Sequence, residues 1–338
     1  MIGRILGAVV VILVAAALGI LAWPQLLSLE QSSGIAQVVA MRGSAAAVAF
    51  VAVILLTLLA LLWRRARGFF AGLAIVALAF VAVNVAVIAT RGVTSAGTPA
   101  PGPGAVTVLT WNTLGETPST ETVADLVEDS GADVVALPET TADGAAELVA
   151  VLAARGIAMQ PFTFAYDTIA KSNSTSLLVA ASLGAYTADT TSTTTSNRPS
   201  LVATPVDGVG PVLAAVHTTA PTTRDPSDWQ TDLRWLAELC AEPNLIVAGD
   251  LNSTVDHWAG LAHAEGAQIG GCADAALQAG AAGLGTWPTA VPALLGAPID
   301  HVLSGAAWTA TGVRVIESED GSGSDHRPVL AQLVPAGS

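Results

Sequence analysis

The sequence predicts an α/β fold in which two packed sheets carry helices on their outer faces, preceded by three transmembrane helices. Three observations predict it. The first ninety residues hold three uncharged apolar stretches; beyond them short apolar runs alternate with helically spaced segments; and one apolar run after another ends on a polar residue able to do chemistry.

The apolar stretches lie at about 5–23, 45–63 and 69–90. Each approaches the ~20 residues that a helix needs to cross a ~30 Å hydrocarbon core. A cleavable signal peptide is usually shorter than the first stretch, and two further spans follow it, so all three are expected to remain as membrane helices. Arg64, Arg65 and Arg67 fill the short loop between the second and third spans, whereas the loop after the first holds only Glu30 and Arg42 as charges. That excess of positive charge assigns the arginine loop to the cytoplasm. The N-terminus is then cytoplasmic as well, and everything past the third span lies on the extracytoplasmic side of the cell membrane. No ionisable residue stands mid-span, and Asn84 alone makes no ion or proton path, so this multi-pass segment reads as an anchor and not as a transporter.

The chain divides into an anchor over 1–94, a linker over 95–105 and an outer domain over 106–338. Residues 95–104 read Ser-Ala-Gly-Thr-Pro-Ala-Pro-Gly-Pro-Gly, which cannot build a core and is expected to run extended, holding the outer domain off the bilayer. Seven of the 13 Lys and Arg residues but 26 of the 27 Asp and Glu residues lie beyond Arg91, which leaves the outer domain near −19. Such a surface repels polyanions and lacks the basic stripe of a protein that tracks a nucleic acid. A bound divalent cation reverses the sign locally, so phosphoesters stay compatible. Cys240 and Cys272 both fall in this domain, where a disulfide and two buried thiols are equally open.

The outer domain begins as a βαβα pattern. A strand over 106–111 ends at Asn112; Val123, Leu126 and Val127 form a helical stripe over 120–130; the strand over 133–137 ends, through Pro138, at Glu139; and Ala145, Leu148, Val149 and Leu152 mark a helix over 140–155. Short strands at 176–180, 201–204 and 212–216, split by Gly, Pro and the polar tract 190–197, suggest an antiparallel meander, the last strand ending at His217. A helix over 229–240 leads into a strand over 244–249 and Asp250. Asp300 is expected to end an apolar strand, and Ser324-Asp325-His326-Arg327-Pro328 to be the last ordered stretch.

Polar residues at strand ends sit on the rim of a sheet, where ligands reach them. Glu139 suits a hard cation such as Mg²⁺, which prefers few carboxylates together with waters and phosphate oxygens; as a lone acid it would equally serve the start of the next helix at Thr140. Asp250 and Asn252 stand two apart, so in an extended segment both side chains face one point; in isolation the same pair reads as an Asx turn. His217 reads as a donor to a leaving or non-bridging oxygen, or as a half-buried histidine. Asp300 and His326 form the strongest pairing, because a carboxylate on one ring nitrogen fixes the tautomer and raises the basicity of the other. No Gly-x-Ser-x-Gly elbow signposts a serine nucleophile, which points to water. Asp325 would face the metal or that water. His301, Arg327, Trp287 and Asp256-His257-Trp258 read as structural or rim residues, and His257 and His263 lack partners at zinc-ligand spacing.

In order and spacing, Trp111-Asn112, Pro138-Glu139, His217, Gly249-Asp250-Leu251-Asn252, Ile299-Asp300-His301 and Ser324-Asp325-His326 resemble the endonuclease/exonuclease/phosphatase superfamily, the group of the DNase I-like nucleases, over about 106–334. The resemblance implies a four-layer α/β sandwich, two packed mixed sheets flanked by helices, with phosphoester hydrolysis dependent on Mg²⁺ or Mn²⁺ at one edge. It implies that Glu139, Asn112 and Asp325 hold the metal, that Asp250 and Asn252 orient the water and a phosphoryl oxygen, that Asp300 and His326 are the acid–base dyad, and that His217 is a second catalytic histidine. Leu114 departs from those nuclease members that carry an acid two residues after the first Asn, which puts a second metal contact there in doubt. The partners implied are the bilayer and a phosphoester, either nucleic acid or a phospholipid or small phosphodiester; no protein partner is evident. A membrane sensor or pseudoenzyme on the same fold would bind ligand without turnover.

Overall fold

Uninterrupted Leu, Val and Ala runs form three helices long and apolar enough to cross a membrane: α1 (Ile2–Ala22) and, past the short α2 (Ile35–Ala40), α3 (Arg42–Leu62) and α4 (Arg67–Arg91). The computed structural model describes the chain except residues 1, 96, 98–101, 103, 168, 191–193, 223–225 and 338, so most of the expected linker and part of the 190–197 tract lie outside the described residues. Helix α3 starts at Arg42, ahead of the expected residue 45, because Arg42 is buried and paired and need not be left in the aqueous loop.

The outer domain follows in the order β1 (Val106–Thr110), α5 (Thr120–Ser130), β2 (Val134–Pro138), α6 (Ala142–Ala154), β3 (Met159–Ala165), β4 (Ser174–Ala180), β5 (Tyr186–Asp189), β6 (Leu201–Pro205), β7 (Val212–His217), α7 (Pro226–Leu239), β8 (Leu245–Asp250), β9 (Ala273–Asp274), α8 (Ala275–Gln278), β10 (Asp300–Ser304), β11 (Trp308–Val315) and β12 (Val329–Pro335). Two six-stranded sheets result, ordered β11-β12-β1-β2-β4-β3 and β5-β6-β7-β8-β10-β9. Each has one parallel pair, β1 with β2 and β7 with β8, among antiparallel neighbours.

Strand alternation sorts the side chains into layers. Val108, Leu213, Ala215, Ile246 and Ala248 point into the core between the sheets. Their chain neighbours point outward: Leu109 joins the cluster under α5 and α6, and Ala214, Val247 and Leu245 join the cluster around Trp229 and Leu233 of α7. The predicted four-layer sandwich is the one observed. Ser119 and Thr141 cap α5 and α6 by accepting from Thr122 N and Gly144 N, so Glu139 stands outside the cap of the following helix. Cys240, at the end of α7, and Cys272 are joined as a disulfide.

Three expectations are corrected. Asp300 opens β10 and does not end a strand; β10 runs antiparallel to β8, so its first residue lies at the same sheet end as the last residue of β8, and Asp300 pairs directly with Asp250. Ser324–Pro328 is not the last ordered stretch, because β12 follows and lies antiparallel beside β1. The outer domain also does not stand off from the helices. Thr94 N donates to Gly280 O and Gly283 N to Gly92 O, and a Cβ on Gly92 (φ 79°) would lie 2.0 Å from Gly280 O. Residues of the loop between α1 and α3 pack there too, with Ala36 fully buried in the Trp229 cluster.

Candidate active site

All six polar islands meet at one end of the sandwich. The carboxyl ends of the two parallel pairs deliver Asn112 and Glu139 from the first sheet and His217 and Asp250 from the second, and the antiparallel strands β10 and β12 begin at that same end with Asp300 and, just ahead of β12, Asp325 and His326. Parallel strands present ligands beyond their carboxyl ends for this reason.

One chain of contacts joins all eight predicted residues. Asn112 Nδ2 donates to Asp250 Oδ2 at 3.0 Å and to Glu139 Oε1 at 3.4 Å. Asp250 Oδ1 accepts from Asn252 N at 2.9 Å, and Asp250 Oδ2 lies 3.6 Å from His217 Nε2 and 3.9 Å from His326 Nε2. His326 Nδ1 is bonded to Asp300 Oδ2 at 2.9 Å, which leaves Nε2 facing the centre, 3.8 Å from Asp325 Oδ1. Asp250 and Asn252 converge by a different route from the one expected. Asn252 has a left-handed backbone (φ 43°), so an Asx turn, and not strand alternation, brings the pair together, and Asn252 Nδ2 is held by Thr218 O at 2.9 Å.

Burial and crowding set the charges. Burial alone would lower the basicity of His326, but the Asp300 and Asp250 carboxylates and the Asp300 hydrogen bond outweigh it and raise its pKa. Burial, with the nearby Asp300 charge, raises the Asp250 carboxyl against the pull of His326. His217 is lowered well below the ordinary histidine value by burial, then by the charges of Arg198 and His326, so it is a neutral imidazole.

Sequence reasoning missed the residues that hold these groups. Trp287, expected as a structural or rim residue, donates its Nε1 to Asp325 Oδ2 at 2.8 Å. Thr286 Oγ1 accepts the backbone N–H of both Ile299 and Asp300 at 3.1 Å, and Ser324 Oγ donates to Asn112 O while accepting from His326 N. The Gly285-Thr286-Trp287-Pro288 run was the available signal. Arg198, on the polar tract, brings a cation near His217 and is steadied by Ser172 and Asn173. Leu114 is 40% exposed and carries no acid into the site.

His217 Nδ1, Asp300 Oδ1 and Asp325 Oδ1 are buried without a partner among the described residues. Orphaned polar atoms on three residues of one site fit bound oxygen ligands or a cation, since such atoms otherwise cost ~1–3 kcal/mol each. Two overlapping donor sets are present. Asp250, Asp300 and His326 offer atoms within 4.8 Å of one another, although the Asp300–His326 hydrogen bond already engages one atom of each. Glu139, Asn112 and Asp325, the predicted metal set, border the site: Asn112 Nδ2 joins Glu139 to Asp250 while its Oδ1 accepts from Leu114 N, which leaves the carboxylates as the oxygen donors that hard divalent ions take.

The model of the Endonuclease/Exonuclease/phosphatase family matches residues 109–326. No curated protein matches the chain. Among solved structures, an endonuclease/exonuclease/phosphatase from Beutenbergia cavernae is 20% identical, covering 69% of this chain and 72% of its own, with a TM-score of 0.51. A humanized D. rerio TDP2 is 19% identical over 68% of this chain and 99% of its own, with a TM-score of 0.50. The 3' phosphatase NExo from Neisseria, bound to product DNA hairpin, is 18% identical over 67% and 98%, with a TM-score of 0.50. These likenesses establish the DNase I-like α/β sandwich.

Proposed function

We propose, for a chain that belongs to the endonuclease/exonuclease/phosphatase family, a divalent-metal-dependent phosphodiesterase that works by attack of water on phosphorus. The hydrogen-bonded Asp300–His326 pair, with Nε2 open toward Asp250, carries this reading. Asp300 orients the His326 ring, whose Nε2–H, kept protonated by the carboxylates around it, donates to a phosphoryl oxygen, while the Asp250 carboxylate positions the water and takes its proton; a carboxyl raised by burial is a better base near neutral pH than an exposed one. As the new O–P bond forms, the ester P–O bond opposite breaks and the leaving oxygen takes a proton from solvent water. Asn112, Asn252 and neutral His217 donate to the oxygens on which charge develops. Glu139, Asn112 and Asp325 would hold Mg²⁺ or Mn²⁺, which when bound supplies neutralisation of phosphate charge and stabilisation of the leaving oxygen. Asp325 is aimed for this by Trp287.

The three apolar helices support a cell-membrane anchor, and the Arg64, Arg65 and Arg67 loop supports an extracytoplasmic domain. DNA belongs among the substrates to be tested, since NExo is described bound to a DNA product.

The test uses the full chain in detergent with bis(p-nitrophenyl) phosphate, an aryl phosphomonoester and single-stranded DNA, with Mg²⁺ or Mn²⁺ and with EDTA. Cleavage that EDTA abolishes and that falls ~10²–10⁴-fold in His326→Ala or Asp250→Asn is the expected result. Metal binding with no turnover on any substrate would replace this reading with that of a ligand-binding sensor.

A further inference from the structure

The catalytic end of the sandwich is also the end that rests on the membrane helices. Each loop that carries a site residue of the second sheet reaches the anchor within a few residues. Beyond His217, Pro221 O accepts from Gln37 Nε2. Beyond Asn252, the Asp256 carboxylate receives five N–H donors: Arg42 Nε and Nη2 at 2.9 and 2.7 Å, Arg91 Nη1 and Nη2 at 2.8 and 2.7 Å, and Gln25 Nε2 at 3.0 Å. His257 O accepts from Gln31 Nε2 at 2.7 Å. The loop between Trp287 and Asp300 touches the start of α3, where Ser44 Oγ donates to Leu295 O at 2.7 Å and a Cβ on Gly43 would lie 1.8 Å from Leu294 O. Arg42 opens α3 and Arg91 closes α4, so this seam marks the level at which both helices leave the hydrocarbon.

An apolar slot runs along the same seam. A cavity of about 520 Å³ is bounded by Ala46, Phe50, Val85 and Ile88 of α3 and α4 and by Leu294 and Leu295 of the Trp287–Asp300 loop. Leu294 is 50% exposed. The slot opens on the exposed apolar surface of α3 and α4 and is walled on its other side by the loop that runs from Trp287, the donor to Asp325, to Asp300. The outer domain, near −19, repels a polyanion, whereas a lipid headgroup brings one phosphodiester already confined to the surface.

We infer that the substrate is a membrane lipid with a phosphodiester headgroup, taken from the leaflet on which the outer domain rests, with one hydrocarbon chain in the slot. This inference rests on the phosphodiesterase reading above. Water adds to phosphorus, one ester P–O bond breaks, and the products are an alcohol and a phosphomonoester, one of which stays in the bilayer.

The experiment reconstitutes the full chain into vesicles of phosphatidylethanolamine, phosphatidylglycerol or phosphatidylcholine with Mg²⁺ or Mn²⁺. Diacylglycerol and phosphatidate are followed by mass, beside bis(p-nitrophenyl) phosphate and single-stranded DNA. The expected result is turnover of at least one lipid, at a rate that falls as that lipid is diluted within the surface at constant bulk concentration, and a ratio of lipid to aryl-ester turnover at least tenfold lower in Leu294→Glu. Metal-dependent cleavage of the aryl ester with all three lipids untouched, or with DNA preferred to them, overturns the lipid assignment and leaves the phosphodiesterase standing. Lipid turnover with the ratio unmoved in Leu294→Glu overturns the slot. No cleavage of any substrate overturns the phosphodiesterase reading and the lipid assignment with it.

Discussion

Glu139 holds a left-handed backbone (φ 64°), as Asn252 does (φ 43°), and both belong to the site. A non-glycine residue there costs roughly 1–2 kcal/mol, a strain that persists where surroundings enforce it. Glu139 N donates to Ser174 O and Glu139 O accepts from Thr113 Oγ1, which pins the conformation from both sides. Glu139→Gly and Glu139→Ala should both abolish metal-dependent turnover, yet the glycine variant should unfold at higher denaturant, by about 1 kcal/mol, because only alanine keeps the strain. Equal midpoints would show the position to be unstrained. At Asp300, replacement by Asn keeps the shape but removes the negative charge that orients and holds the His326 proton, so the rate should fall by about 10²-fold or more while KM moves little, read from steady-state kinetics on bis(p-nitrophenyl) phosphate. The identities of these residues were legible because each ends or begins an apolar run. The conformations that aim them were not, since Trp287, Thr286 and Ser324 act through single hydrogen bonds between distant segments that leave no periodic trace.

Strands β7 and β8 are the element on which the second half of the site depends. His217 and Asp250 are register partners at the shared end of this parallel pair, and the residue before Asp250 is Gly249, where a Cβ would lie 1.8 Å from Val216 O. Gly249→Ala should therefore part the strands at their catalytic end. The expected outcome is a stability loss of about 1–3 kcal/mol with a fall in turnover exceeding that of a neutral core substitution; unchanged kinetics would mean the sheet absorbs the methyl elsewhere. The sequence revealed β1, β2, β7 and β8 because central strands read as unbroken apolar runs bounded by polar residues. It concealed β3, which carries Pro161 and lies at a sheet edge, and β11, where Thr and Gly interrupt the pattern of another edge. It also gave Asp300 the wrong end of its strand, because the direction of a strand in a sheet is set by its neighbours and not by its own residues.

Across the whole molecule, Asp256 joins the two parts that the sequence divides at 94. Burial would raise its carboxyl, but hydrogen bonds from Arg42 and Arg91 outweigh that and hold it well below the ordinary carboxylate range. The sign follows: a carboxyl whose folded value is depressed contributes stability in full above about 3.8 and loses it as pH falls from there through the folded value. Thermal unfolding of the full chain in detergent should show this acid loss, and Asp256→Asn should lack it while costing about 3–5 kcal/mol at neutral pH, because the buried Arg42 and the partly buried Arg91 lose their counterion. A variant as acid-sensitive as the parent would exclude Asp256 as the source. No pattern along the chain betrays a contact between residues 214 apart, and Asp256 beside His257 and Trp258 reads only as structural or rim. Its partners are also separated in time. Synthesis runs from the N-terminus at about 5–20 residues per second, so Arg42 and Arg91 are made many seconds before the carboxylate that neutralises them exists, Asp256 lying 165 residues beyond Arg91. Until the outer domain is complete, Arg42 has only Ala22 O and Asn84 Oδ1 to donate to among these partners, and neither arginine gains its counterion until the domain closes onto the helices.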